Sequence, residues 1–247
     1  MDDLKNIVLL IDADNTPSSK IEDVIREITA HGRIVVKRAY GNWKKEALKK
    51  WEAEIKRLAI KAVQQFDYVS GKNATDMALV IDAIHLLNND MYDAFVIVSS
   101  DSDYTPLAVD LHESGVYVIG VGEQNKTPEA FRNSCDEFIF LENIGIDQIN
   151  QAADETEKEA EKPSTQKSTA KTKEIHNLLR LAAEKYQDDD GFTAVGAAGT
   201  FIKRAKPDFD VRTYGFKQLS KFLEAYPKKY EIKRRGKDKN IIVYKCK

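Results

Sequence analysis

The 247-residue chain carries 38 Lys and Arg against 40 Asp and Glu, a formal charge of −2, and is 42% hydrophobic. That allows one large core or two smaller ones, while two cysteines alone, Cys135 and Cys246, exclude a disulfide framework or a cysteine-rich zinc site. No window approaches the roughly 20 apolar residues that span a bilayer, and the opening MDDLKNIVLLIDAD lacks the features of a signal peptide, so a reducing cytoplasm is the expected setting.

Strand and helix patterns alternate from the start. The apolar run Ile7 to Ile11 reads as a strand covered on both faces. After Pro17, the residues Ile21, Val24, Ile25 and Ile28 recur at helical spacing up to Gly32, and Ile34 to Val36 begins a second strand. A helix is expected over Lys44 to Ile60, a short strand near Ala62 to Phe66, and an amphipathic helix marked by Met77, Val80, Ile81, Ile84 and Leu87. Phe95 to Val98 is the clearest strand; a helix over Leu107 to His112 and strands at Val116 to Ile119 and Phe138 to Phe140 complete the pattern. This alternation predicts a doubly wound, mostly parallel α/β sheet with right-handed crossovers.

The near-neutral total hides two opposed halves. From Met1 to Ile146 there are 16 Lys and Arg against 24 Asp and Glu; from Lys171 to Lys247 there are 19 against 10. Between them, residues 147–170 form an acidic and polar stretch, expected to be a tether because it has too little apolar surface to fold alone. Beyond it, helices are expected over Thr172 to Gln187, Val195 to Ala205 and Arg212 to Ala225, followed by a hairpin of Glu231 to Lys233 with Ile241 to Tyr244. Three helices and a basic hairpin predict a smaller winged-helix-like domain over 171–247, beside the α/β domain over 1–146.

Three short stretches gather acids where open α/β sheets bind ligands: Ile11-Asp12-Ala13-Asp14-Asn15, Lys72 to Asp76, and Ser99-Ser100-Asp101-Ser102-Asp103. Asp12 and Asp101 each follow a strand, at the carboxyl edge where ligands sit if the two strands flank the point of reversed strand order. Asp76 falls in the first turn of its helix, which the helix dipole favours. Oxygen donors without His or Cys suit magnesium or manganese rather than zinc, and such an ion serves phosphodiester hydrolysis. Each acid also admits a plainer role as a turn or helix cap, Asp14 most readily. Lys72, Lys44 and Lys45 offer cations to a phosphate, and Tyr40 and Trp43 either stack on bases or pack on a neighbouring helix.

These segments, together with Tyr104, Pro106 and Leu107, resemble the signature of the NYN domain, a family of PIN-like nucleases, over roughly Lys5 to Ile144. The resemblance implies a metal-dependent ribonuclease in which Asp12, Asp76, Asp101 and Asp103 are the catalytic and metal-binding acids and Asn15 and Ser99 the accompanying polar positions. Asp14 is not part of the family's core pattern.

In the tail, Lys228, Lys229, Lys233, Arg234, Arg235, Lys237 and Lys239 crowd the hairpin and its approach, which predicts salt-sensitive affinity for phosphates. The pattern Tyr214-Gly215-Phe216-Lys217-Gln218-Leu219 with Phe222-Leu223 resembles the OST-HTH/LOTUS domain, which implies binding of RNA or of a protein partner. Two other functions compete. Asp12 to Thr16 also fits the DxDx[TV] loop of haloacid-dehalogenase-like phosphatases, although no cap insertion follows it, and a non-catalytic RNA-binding adaptor would use the acids only to hold an ion.

Overall fold

In the computed structural model, residues 4–68, 73–145, 168–236 and 240–247 are described, 168–171 by backbone alone. The chain divides into two compact units, Met1–Gln148 and Ile149–Lys247. Lys72, Lys237, Lys239 and most of the expected tether lie outside the described residues.

The first unit is a six-stranded sheet. Its elements, in chain order, are β1 (Leu4–Asp12), α1 (Ile21–Thr29), β2 (Gly32–Gly41), α2 (Trp51–Arg57), β3 (Lys61–Gln64), α3 (Ala74–Leu87), β4 (Ala94–Val98), α4 (Thr105–Glu113), β5 (Tyr117–Gly122), α5 (Glu129–Asn133) and β6 (Glu137–Phe140). The strand order is β3-β2-β1-β4-β5-β6 and every pairing is parallel. Chain order therefore reverses between β1 and β4, which pair from Ile7 opposite Ala94 to Ile11 opposite Val98.

Side chains of β1 alternate between two cores, as a pleated strand requires. Ile7, Leu9 and Ile11 pack with Ile21, Val24 and Ile28 of α1 and Trp51 of α2. Val8 and Leu10 pack with Leu79 and Ala83 of α3 and Leu107 and Leu111 of α4. Burial on both faces is why β1 and β4 read as unbroken apolar runs. The same alternation sends Asp12, two residues beyond Leu10, toward the side carrying α3 and α4.

Two expectations are corrected here. Lys44 to Ile60 is not one helix: a 3-10 turn at Glu46–Leu48 precedes a seven-residue α2, and Ala59 sits at φ 51°. Trp43 and Trp51 pack edge to face there, with centroids 6.4 Å apart, and the Trp43 indole N–H donates to the Val63 carbonyl at 3.1 Å. Tertiary packing thus overrides helical propensity in this stretch. Helix α3 forms where expected but buries Thr75, Leu79, Ala83 and Leu86, leaving Met77 and Ile81 more than half exposed. The helix is apolar around most of its circumference, so periodicity alone does not choose the buried face.

The second unit contains α6 (Ser168–Tyr186), β7 (Thr193–Ala194), α7 (Val195–Ala205), α8 (Leu219–Glu224), β8 (Tyr230–Arg235) and β9 (Ile241–Cys246). Its antiparallel sheet has the order β7-β9-β8, with the expected β8–β9 hairpin and an unanticipated two-residue third strand. Ile175, Leu179, Ile202, Phe222 and Tyr244 form its core. The helix expected over Arg212 to Ala225 is broken into a 3-10 turn at Val211–Tyr214 and α8, because Gly215 adopts φ 82° between them. Cys135 and Cys246 are free thiols, one in each unit.

Candidate active site

Three of the acids, Asp12, Asp101 and Asp103, are linked through Ser99 in one hydrogen-bonded chain. Asp12, buried at the end of β1, accepts at Oδ1 from the backbone N–H of Asp14 (3.1 Å) and Asn15 (3.3 Å). At Oδ2 it accepts from the Asn15 side-chain amide (2.7 Å) and the Ser99 hydroxyl (2.9 Å). Ser99 follows β4 directly and is itself buried; its Oγ also accepts the backbone N–H of Asp101 at 3.1 Å. Asp101 Oδ1 in turn accepts the backbone N–H of Asp103 at 2.9 Å, capping the 3-10 turn Ser102–Tyr104. The plainer capping role of Asp101 is therefore real, and it occupies only one carboxylate oxygen. The Thr16 hydroxyl donates to the Val98 carbonyl at 3.2 Å and ties the loop after β1 to the end of β4.

Asp76 enters from the first turn of α3, where its Oδ1 accepts from the buried Tyr104 hydroxyl at 2.8 Å. Asn73, just before that helix, donates its side-chain amide to Asp103. The start of α3 is thus joined to the loop after β4 by two side-chain hydrogen bonds. Further along α3, Asp82 accepts from Tyr40 and from Arg38, whose Nη1 lies 2.6 Å from Oδ2, fixing the helix against β2. Those bonds and the Arg38 charge hold the Asp82 carboxyl below its ordinary value although burial opposes them.

Electrostatics show the proximity of the acids. Burial pushes the Asp12 carboxyl up from 3.8 to about 6 against the bonds from Asn15 and Ser99, and the Asp76 charge adds to the rise. Burial raises Asp76 too; its bond from Tyr104 opposes this, while Asp101, Asp103 and Asp14 repel its charged form. Mutually repelling carboxylates, with Asp12 buried, Asp76 and Asp101 half-buried and Asp103 exposed, are relieved by a cation. Among the described residues no group of three or more Asp, Glu, His or Cys side chains stands close enough to hold a bare ion. Magnesium commonly keeps several waters and touches one or two carboxylates, and the all-oxygen donor set fits it or manganese.

The remaining expected residues are placed differently. Asp14 pairs with Lys45 at 3.3 Å, and Lys45 also reaches Asp67 at 3.3 Å. Lys44 lies over the Phe66 ring, 5.0 Å from its centroid. Tyr40 is fully buried, so it packs rather than stacks on bases. In the second unit Lys233 pairs with Glu231 at 2.9 Å, while Arg235 pairs with Asp188 and, at 2.8 Å, with Asp190. Arg234 is exposed on the same hairpin. Sequence alone gives Tyr104 and Asn73 no individual role; their place inside the two acidic motifs is the signal that marks them.

The first unit is an open parallel sheet with acids at its switch point, and the second a small helix-and-hairpin unit. Residues 6–147 match the NYN domain and residues 166–242 match the OST-HTH/LOTUS domain. The chain belongs to the NYN domain family, within the PIN-like nuclease superfamily, and carries a C-terminal domain of a kind associated with RNA binding. No curated protein matches it significantly. Among solved structures, a Vibrio parahaemolyticus protein of unknown function is 16% identical over 57% of this chain and 94% of its own, with a TM-score of 0.47. An uncharacterized Nitrosomonas europaea protein is 26% identical over 37% of this chain and 85% of its own (TM-score 0.30). A UDP-N-acetylglucosamine 2-epimerase is 10% identical over 85% of this chain and 70% of its own (TM-score 0.36). Similarities this low say nothing about activity. Among the described residues no helix is long and apolar enough to cross a membrane.

Proposed function

We propose that the N-terminal unit is a metal-dependent ribonuclease and that the C-terminal unit recruits its RNA. The observation that carries this reading is the placement of Asp12, Asp76, Asp101 and Asp103 around the carboxyl ends of β1 and β4, with Asp12 held near a pKa of 6 by burial. Asn15 and Ser99 orient the Asp12 carboxylate, Tyr104 orients Asp76, and Asn73 orients Asp103. A magnesium or manganese ion bound there supplies charge to stabilise a phosphodiester and makes a nearby water more acidic. Lys45 can exchange Asp14 and Asp67 for a phosphate, and Lys44 flanks the same edge on the loop after β2.

A phosphotransferase with Asp12 as nucleophile is the weaker enzyme reading. The chain runs from the Asp12–Asn15 loop directly into the Ser18–Lys20 turn and α1, with no room for the cap that such enzymes usually carry there. A non-catalytic RNA-binding adaptor is favoured by one observation, the lack of three carboxylates drawn tightly together among the described residues. Incubating single-stranded and hairpin RNAs with the protein and Mg²⁺ or Mn²⁺, alongside Asp101→Asn, separates these. The nuclease cleaves and the variant does not; wild type and variant that bind equally and leave the RNA equally intact would establish the adaptor.

A further inference from the structure

Two basic surfaces of the second unit differ in how far their described cations are already neutralised, although Arg234 on the hairpin is exposed. On the hairpin, Lys233 is paired with Glu231, and Arg235 with Asp188 and Asp190. Both also lie over the Phe192 ring, at 4.4 and 5.0 Å from its centroid. A phosphate arriving there competes with Asp188 and Asp190 for Arg235 and, more weakly because that pair is exposed, with Glu231 for Lys233.

The other surface is an open groove of about 610 Å³ between α6 and the ends of the hairpin strands. One wall is a stripe of α6, where Lys173, His176, Asn177 and Arg180 follow one another at i, i+3, i+4 and i+7 and so share a face about 10 Å long. The other wall carries Lys228 and Lys229, which precede β8, and Lys247 after β9. The single acid of the lining, Glu174, is bonded to Lys206 at 3.0 Å. Arg180 pairs with Glu184, an exposed pair on the helix surface that is weakly held. His176 and Tyr230 join through Nδ1 and the hydroxyl at 2.8 Å, and Tyr226 meets the His176 ring edge-on at 4.6 Å. The groove therefore combines a cationic rim for phosphates with the partly exposed His176 ring, on which an unpaired base can stack, while Tyr230 beneath it is buried.

We propose that this groove, rather than the hairpin, is the RNA-binding face of the second unit, and that it takes single-stranded RNA. The proposal rests on the reading of that unit as an RNA recruiter but not on catalysis by the first. Its test uses the full chain carrying Asp101→Asn, so that binding is read without cleavage, and an unstructured oligoadenylate in fluorescence anisotropy across a potassium chloride series. Lys228→Gln with Lys229→Gln removes two phosphate contacts, which should lower the salt slope by about 1.4 and the affinity at 0.1 M salt by about 25-fold. Lys233→Gln with Arg235→Gln should weaken binding less than about threefold, since those cations are already engaged. Near-ultraviolet circular dichroism establishes that each variant is folded, and His176→Ala, which removes the imidazole lining the groove, is a second probe expected to weaken binding without changing the salt slope. A groove variant that binds like wild type, or a hairpin variant that loses more, would overturn the proposal. Polyglutamate competing as well as RNA of equal charge would also overturn it and assign the groove to an acidic protein. A chain with Asp101 intact that binds RNA through the groove but does not cleave it would count against the nuclease reading alone.

Discussion

Asp12→Asn offers a quantitative probe of the buried acid. Burial lifts this carboxyl from 3.8 to about 6, so between those values the folded protein holds a proton that the unfolded chain has lost. Stability attributable to the group therefore falls as pH rises through that window and stays low above it. The difference is worth about 3 kcal/mol for the metal-free protein at neutral pH. An amide at position 12 escapes this penalty but faces the Asn15 side-chain amide with a second donor, at a cost of about 1 kcal/mol. The net gain of about 2 kcal/mol corresponds to an increase of about 6 °C in the transition of a unit this size. Scanning calorimetry at pH 7.5 in a chelator should show that increase, and at pH 4 the variant should be slightly less stable than wild type. Added Mn²⁺ should stabilise wild type and not the variant. Equal destabilisation of the variant at both pH values would refute the view that Asp12 is a strained, charge-bearing buried group.

Ser99→Ala removes both the donor to Asp12 and the acceptor for Asp101, and should lower stability by about 1–3 kcal/mol in calorimetry while reducing cleavage more strongly than stability alone explains. Tyr104→Phe leaves Asp76 without its hydrogen-bond donor; titration followed by NMR should show the Asp76 pKa rising further, and an unchanged value would deny the contact any electrostatic role. Gly215→Ala, forced to φ 82°, should cost the second unit about 1 kcal/mol in chemical denaturation without touching the first unit's transition.

How much of this was legible in the sequence follows from which interactions are local. Strands β1 and β4 announce themselves because burial on both faces demands unbroken apolar runs, and the acids at their ends stand out against that background. Helix α3 is legible as a helix, yet its buried face is not, since Met77 and Ile81 are as apolar as Leu79 and Leu86. The bonds from Tyr104 to Asp76 and from Asn73 to Asp103 join residues 28 and 30 positions apart, and only the tertiary fold brings them together. The same holds for the hairpin: Arg235 looks like a free cation in sequence, whereas Asp188 and Asp190, 47 and 45 residues earlier, neutralise it. Gly215, by contrast, advertises a break that helical periodicity in its neighbours obscures.

Whether the switch-point acids hold a divalent ion that serves RNA hydrolysis is tested most directly by measuring Mn²⁺ binding by electron paramagnetic resonance and single-turnover cleavage of an unstructured RNA over the same Mn²⁺ series. Cleavage should rise in step with occupancy, and Asp101→Asn should remove both while leaving the protein folded. Cleavage that persists in excess chelator, or in Asp101→Asn at the wild-type rate, would contradict the account.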